Sequence, residues 1–199
     1  MKTIILLIDF YGHPALTTDS YSDSMRYSYL TEIISSGFID KKRCLFFSTV
    51  IHSNDKKLRE LRNMAIAKGF KFFTPEDDPT WTKNLDEFKD DNYTIDYVKS
   101  KLGPYCAKNF SHLNTQIIVT GTNTSGCVFS GKKIGALHWY KNMYKTKIYL
   151  PMCAEYENNG RNDFERNQIG FASLYKRIYA NKCFDMEICR ELSDLNLPV

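Results

Sequence analysis

Short, uninterrupted apolar runs alternate along this 199-residue chain with longer segments of mixed polarity. The runs predict strands over 3–8, 43–51, 70–73, 116–120 and 147–150. Between them the pattern predicts helices over 25–35, from Asn54 or Asp55 to 68, over 93–102, over 128–142 and over 162–179. Asn54 or Asp55 is placed to cap the second helix and Gly69 to stop it. In the last helix Ile169, Phe171, Ala172, Leu174 and Ile178 fall on or near one face. The stretches 14–24 and 75–92 are polar and irregular. A strand that is apolar at successive positions is buried on both faces, the signature of a parallel sheet covered by helices. The fold class expected is therefore α/β, a three-layer α/β/α sandwich around a mainly parallel, Rossmann-like sheet. In such sheets ligands bind beyond the carboxyl ends of the strands, near a topological switch point. Asp9 and Cys127 both fall at predicted strand carboxyl ends.

Cys127 stands in the run Gly121-Thr122-Asn123-Thr124-Ser125-Gly126-Cys127-Val128. Coming directly after a strand, this run puts the thiol at the first turn of the predicted helix. Unpaired backbone N–H groups and the helix dipole favour a thiolate there. The plainer alternative is a small buried hydrophobe. Thr124 and Ser125 are placed to cap that helix. The spacing Gly121-x-x-x-x-Gly126 also resembles the start of a phosphate-binding loop, but Cys127-Val128 stand where Lys and Ser/Thr are required. Cys127 followed by Lys133 fails as a cysteine phosphatase loop, because lysine lacks the bidentate guanidinium fork.

Composition narrows the classes further. A length of 199 residues with 43% hydrophobic and 25% charged residues suits one globular domain spanning 1–199. The net charge of +4 is small, and Lys41-Lys42-Arg43 and Lys132-Lys133 read as solvated faces, so no nucleic-acid partner is expected. No apolar stretch approaches the roughly 20 residues of a membrane span, and no membrane partner is expected. The apolar run at the N-terminus ends at Asp9 without a cleavage site, a strand rather than a signal peptide. Cysteines 44, 106, 127, 153, 183 and 189 form no CxxC pair, which fits reduced thiols and a cytoplasmic protein. Histidines 13, 52, 112 and 138 form no HxH or HxxxH pair. No metal and no cofactor is expected.

Taken together, these residues resemble the isochorismatase-like cysteine hydrolases, the family that includes the nicotinamidases. Leu6-Leu7-Ile8-Asp9 matches the family's first strand and its aspartate, and Gly121, Thr124, Cys127 and Val128 match its Gly-x-x-Thr-x-x-Cys-Val motif. Trp81-Thr82-Lys83-Asn84-Leu85-Asp86-Glu87-Phe88 is close to the family's lysine segment, one residue short, with Lys89 as the other candidate. Tyr149-Leu150-Pro151-Met152-Cys153-Ala154 matches a later strand end. Two departures stand out. Thr49-Val50-Ile51-His52-Ser53-Asn54 lacks the Asp-x-His pair with which nicotinamidases hold a metal, and Phe10-Tyr11-Gly12-His13 differs from the usual continuation after the aspartate.

The resemblance implies a catalytic triad of Asp9, Lys83 and Cys127. Cys127 would attack a small amide, imide or ureide carbonyl to give a thioester, with Asp9 serving first as base and then as acid. Lys83 would stabilise both anions. It also implies an oxyanion hole of the Asn123 and Cys127 backbone N–H groups, with a cis peptide between Thr122 and Asn123. Tyr11, Trp81 and Phe88 are candidate pocket residues, the partner is a small-molecule substrate, and a dimer or tetramer is implied. The alternative is a small-molecule-binding or regulatory protein that has repurposed the same pocket.

Overall fold

The computed structural model describes residues 1–8, 10, 21–49, 56–74, 112–131, 135–155 and 162–199. Among these residues six strands form one sheet: β1 (Lys2–Ile8), β2 (Cys44–Ser48), β3 (Lys71–Phe73), β4 (Thr115–Thr122), β5 (Lys145–Ala154) and β6 (Glu187–Cys189). Every pairing is parallel, and the order is β3-β2-β1-β4-β5-β6. The described helices are α1 (Tyr21–Ser35), α2 (Lys56–Ala67), α3 (Ala136–Lys141) and α4 (Asp163–Ala180).

The apolar strands are buried on both sides, as their unbroken hydrophobicity requires. Ile4, Leu6 and Ile8 enter one core with Ile117, Val119 and Ile148, closed by Trp139 of α3 and by Leu174 and Ile178 of α4. Ile5 and Leu7 enter the other with Phe46, Ile118 and Tyr149, closed by α1 and α2. Leu30, Ile33 and Ile34 of α1 and Leu58, Leu61 and Ala65 of α2 supply its helical side. Gly69, at φ 91°, ends the turn after α2 as expected. No helix among the described residues is long and apolar enough to cross a membrane.

Four elements differ most from the sequence expectation. The predicted helix over 128–142 is absent as a unit: Thr124–Val128 is a single π-helical turn, and α3 starts separately at Ala136 after Gly135. The buried stripe of α4 is Arg166, Gly170, Leu174 and Ile178, an i, i+4 repeat that leaves Ile169 and Ala172 exposed. β6 and a 3-10 turn at Leu192–Leu195 had no sequence expectation.

Candidate active site

The strand order sets where a site can form. From β1 the chain moves outward through β2 to β3, then crosses back to β4 on the other side of β1. The carboxyl ends of β1 and β4 therefore flank the switch point. Ile8 faces Gly121 there, and the two backbones nearly touch. A Cβ on Gly121 would lie 1.8 Å from the Ile8 carbonyl oxygen, and the residue sits at φ 138°, so both space and backbone conformation demand glycine.

Beyond Gly121 the chain turns sharply. Asn123 adopts the left-handed conformation (φ 58°, ψ 71°), which asparagine tolerates better than most residues. Its side-chain oxygen accepts from the Gly126 N–H at 3.0 Å, and its carbonyl accepts from the Gly126 and Val128 N–H groups at 3.1 and 3.2 Å. The second of these is the i+5 bond of a π turn, a geometry that recurs at functional sites. Gly126 is needed because a Cβ there would lie 2.3 Å from the Asn123 side-chain oxygen. Gly135 packs on the turn from the other side, where a Cβ would come within 2.6 Å of the Cys127 carbonyl. Thr124 donates to the Ala154 carbonyl at 3.3 Å, tying the turn to the end of β5. Arg177 of α4 donates to the Ser125 carbonyl and stacks its guanidinium 5.5 Å from the centre of the Phe129 ring.

Cys127 is half-buried in this turn, against the apolar core. The other four described cysteines are buried. Burial, reinforced by Asp40, pushes the Cys44 thiol up to about 12. Burial also pushes Cys153 and Cys189 up to about 11 and raises Cys183. Buried thiols of that kind stay protonated and inert.

Several sequence expectations change here. The Thr122–Asn123 peptide is trans, since the described residues contain no cis bond; the unusual backbone is the positive φ of Asn123 instead. Asn123 caps the turn, whereas Thr124 and Ser125 anchor it to β5 and α4. Because Cys127 lies in a five-residue turn rather than at the head of a long helix, no helix dipole acts on it. Asp9, Tyr11, Trp81, Lys83, Phe88 and Lys89 lie outside the described residues, as does His52. Ile8 and Phe10, the neighbours of Asp9 in the chain, are both buried.

One residue escaped the sequence reading. Arg26 of α1 is fully buried, donating to the Thr122 hydroxyl at 3.2 Å and to the Met152 carbonyl at 3.3 Å. Its guanidinium lies 4.3 Å from the centre of the Phe10 ring, a cation–π contact. It joins the ends of β4 and β5 to the segment after β1 and brings a fixed positive charge among them. The available signal was its place four residues before Leu30, on the buried stripe of α1.

Among the described residues no group of three histidines, cysteines or carboxylates could hold a metal ion. No protein-family model matches the chain, and no curated protein matches it in sequence. Solved structures do match. The MAR1 ribonuclease of Caenorhabditis elegans is similar with a TM-score of 0.54 at 10% identity, over 98% of this chain and 81% of that one. An isochorismatase-like hydrolase from Alkaliphilus metalliredigens is similar with a TM-score of 0.48 at 15% identity, over 95% of each chain. The likeness is one of fold. It fits the parallel sheet of the described strands.

Proposed function

We infer that the protein is a hydrolase with Cys127 as nucleophile, acting on the C–N bond of a small amide, imide or ureide. The observation that carries this reading is the placement of Cys127. It is the half-exposed thiol among five described cysteines, and it lies on a tight turn beside the switch point of the sheet. Asp9 follows Ile8, the residue that faces Gly121 across the switch point. Its carboxylate takes the thiol proton as sulfur attacks the carbonyl carbon. The tetrahedral intermediate collapses to a thioester as the C–N bond breaks, and Asp9 returns the proton to the leaving nitrogen. Water, giving a proton to Asp9, then displaces sulfur, and the acid product departs as the thiol is restored. Lys83 stabilises the thiolate and the carboxylate, and backbone N–H groups of Asn123 and Cys127 receive the oxyanion.

Alkylation with iodoacetamide at pH 8, read by mass spectrometry on native protein, tests the nucleophile. Cys127 is expected to react first, with Cys44, Cys153 and Cys189 protected; equal rates would end the claim. Turnover of an amide and ureide panel, lost in Cys127→Ala with the fold retained, tests the chemistry. RNA belongs in the panel because a ribonuclease is among the structural matches. Loss of an RNase activity in Cys127→Ala with no amide turnover would replace the substrate class. A reactive Cys127 with no turnover and no trapped thioester would favour a repurposed binding pocket.

A further inference from the structure

β5 runs on past the end of its outer neighbour. β6 pairs with it only across Lys147, Ile148 and Tyr149, so among the described residues no strand lies against the outer edge of β5 beyond Tyr149. α1 and α4 flank that edge and enclose with it a groove of about 630 Å³, within the usual size of small-molecule sites. Leu150, Pro151 and Cys153 contribute from β5, and Met25 and Tyr29 from α1.

The wall formed by α4 is a second helical face. Phe164, Gln168, Phe171 and Tyr175 fall at i, i+4, i+7 and i+11, apart from the buried stripe of Arg166, Gly170, Leu174 and Ile178. Phe164 is 71% and Tyr175 41% exposed. A helix that carries a second, mainly aromatic stripe, open to solvent along a concavity, has a surface suited to a ligand.

The charge at the rim decides which ligand. Arg190 is the one charged residue lining the groove among the described residues. Its guanidinium donates to the Tyr175 hydroxyl at 3.3 Å. The nearby carboxylate of Asp194 is taken up by the backbone N–H groups of Arg190 and Glu191, each at 2.9 Å. Among the described residues no carboxylate pairs with the guanidinium. We propose that this groove binds a small amphipathic anion, its apolar body against Phe171, Leu150 and Cys153 and its carboxylate or sulfonate on Arg190. The guanidinium fork matches a carboxylate in two parallel hydrogen bonds. An added peptide strand is less suited, because Pro151 removes a main-chain donor from the β5 segment that lines the groove.

The test uses 8-anilinonaphthalene-1-sulfonate fluorescence on the full chain, with decanoate and decanol as competitors. One dye per chain should bind, and decanoate should displace it at concentrations about tenfold below decanol, the factor a charged hydrogen bond supplies. Arg190→Gln should remove that preference while leaving decanol unchanged. Ala172→Trp, at an exposed position on the groove wall, should abolish dye binding while far-UV circular dichroism stays native. Equal competition by decanoate and decanol, or dye binding that survives Ala172→Trp, would overturn the proposal. So would gel filtration showing a dimer that Phe164→Ser converts to a monomer, since a second copy would then cover this face.

Discussion

Gly121 and Gly126 stand five residues apart in one motif yet constrain the chain by different means. At Gly121 an added Cβ meets a backbone carbonyl of a neighbouring strand at 1.8 Å, and φ 138° adds conformational strain. Neither can relax without parting β1 from β4. Gly121→Ala should therefore cost about 3 kcal/mol or more, read by urea unfolding or as loss of soluble protein. At Gly126 the obstacle is the end of the Asn123 side chain, which can swing away. Gly126→Ala should fold, lose about 1 kcal/mol with the cap, and slow the alkylation of Cys127 whose turn it loosens. Full retention of the wild-type alkylation rate would mean that the cap does not position the thiol. Tyr149 offers the opposite sign. Its hydroxyl is buried with no hydrogen-bond partner among the described residues, and burial pushes its pKa well above the ordinary tyrosine value. Tyr149→Phe should leave the urea midpoint in place or raise it; a loss above about 1 kcal/mol would reveal a bound water on the hydroxyl. At this scale the glycines and Cys127 were legible because their spacing is the motif. Asn123 as cap was not, because a left-handed asparagine leaves no periodic trace, and Arg26 was missed because a charge at a stripe position reads as a break in the stripe rather than as part of it.

At the scale of elements, the amino ends of the strands are fastened by the C-terminal segment. Lys147 of β5 is fully buried, donates from Nζ to the Asp194 carbonyl at 2.5 Å and pairs with Glu187 of β6 at 2.8 Å. Burial raises the Glu187 pKa, but hydrogen bonds from Lys147 and Lys145 outweigh it, so the net shift is downward. The sign follows from linkage: a carboxylate held below its unfolded pKa stabilises the fold above that unfolded value, and the contribution fades as pH falls through the folded one. Glu187→Gln should therefore destabilise at pH 7 and match the wild type in acid, below the lowered pKa, in paired urea titrations. A difference that persisted in acid would remove the ion pair as its cause. β6 itself was invisible in sequence because Glu-Ile-Cys is too short to carry a period. The helix read over 128–142 failed for another reason. Apolar spacing continues through Val128, Phe129 and Leu137, but Gly131 and Gly135 interrupt it, and Gly135 must lie flat against the Cys127 carbonyl.

At the scale of the molecule, the parallel sheet followed from strands apolar on both faces, and the position of Cys127 after β4 followed with it. Strand order did not, because nothing local says that β4 returns beside β1 rather than beside β3. That return creates the switch point, so the place of the candidate site came from topology and its proposed nucleophile from the motif. The opposite rim of the sheet carries a consequence of its own. The side-chain amide of Gln116 donates to the Thr3 hydroxyl at 2.9 Å and to the carbonyls of Leu195 and Asn196 at 2.9 and 3.1 Å. One amide thus touches the first strand and the last turn of the chain, at the end of β4 remote from Gly121. Residues near the two ends of the given sequence therefore lie side by side. A short glycine-serine linker from Val199 to Met1 should permit a circular permutant opened at the exposed turn around Phe38 to fold with the wild-type urea midpoint. Its Cys127 should alkylate at an unchanged rate, since the splice lies on the rim away from the thiol.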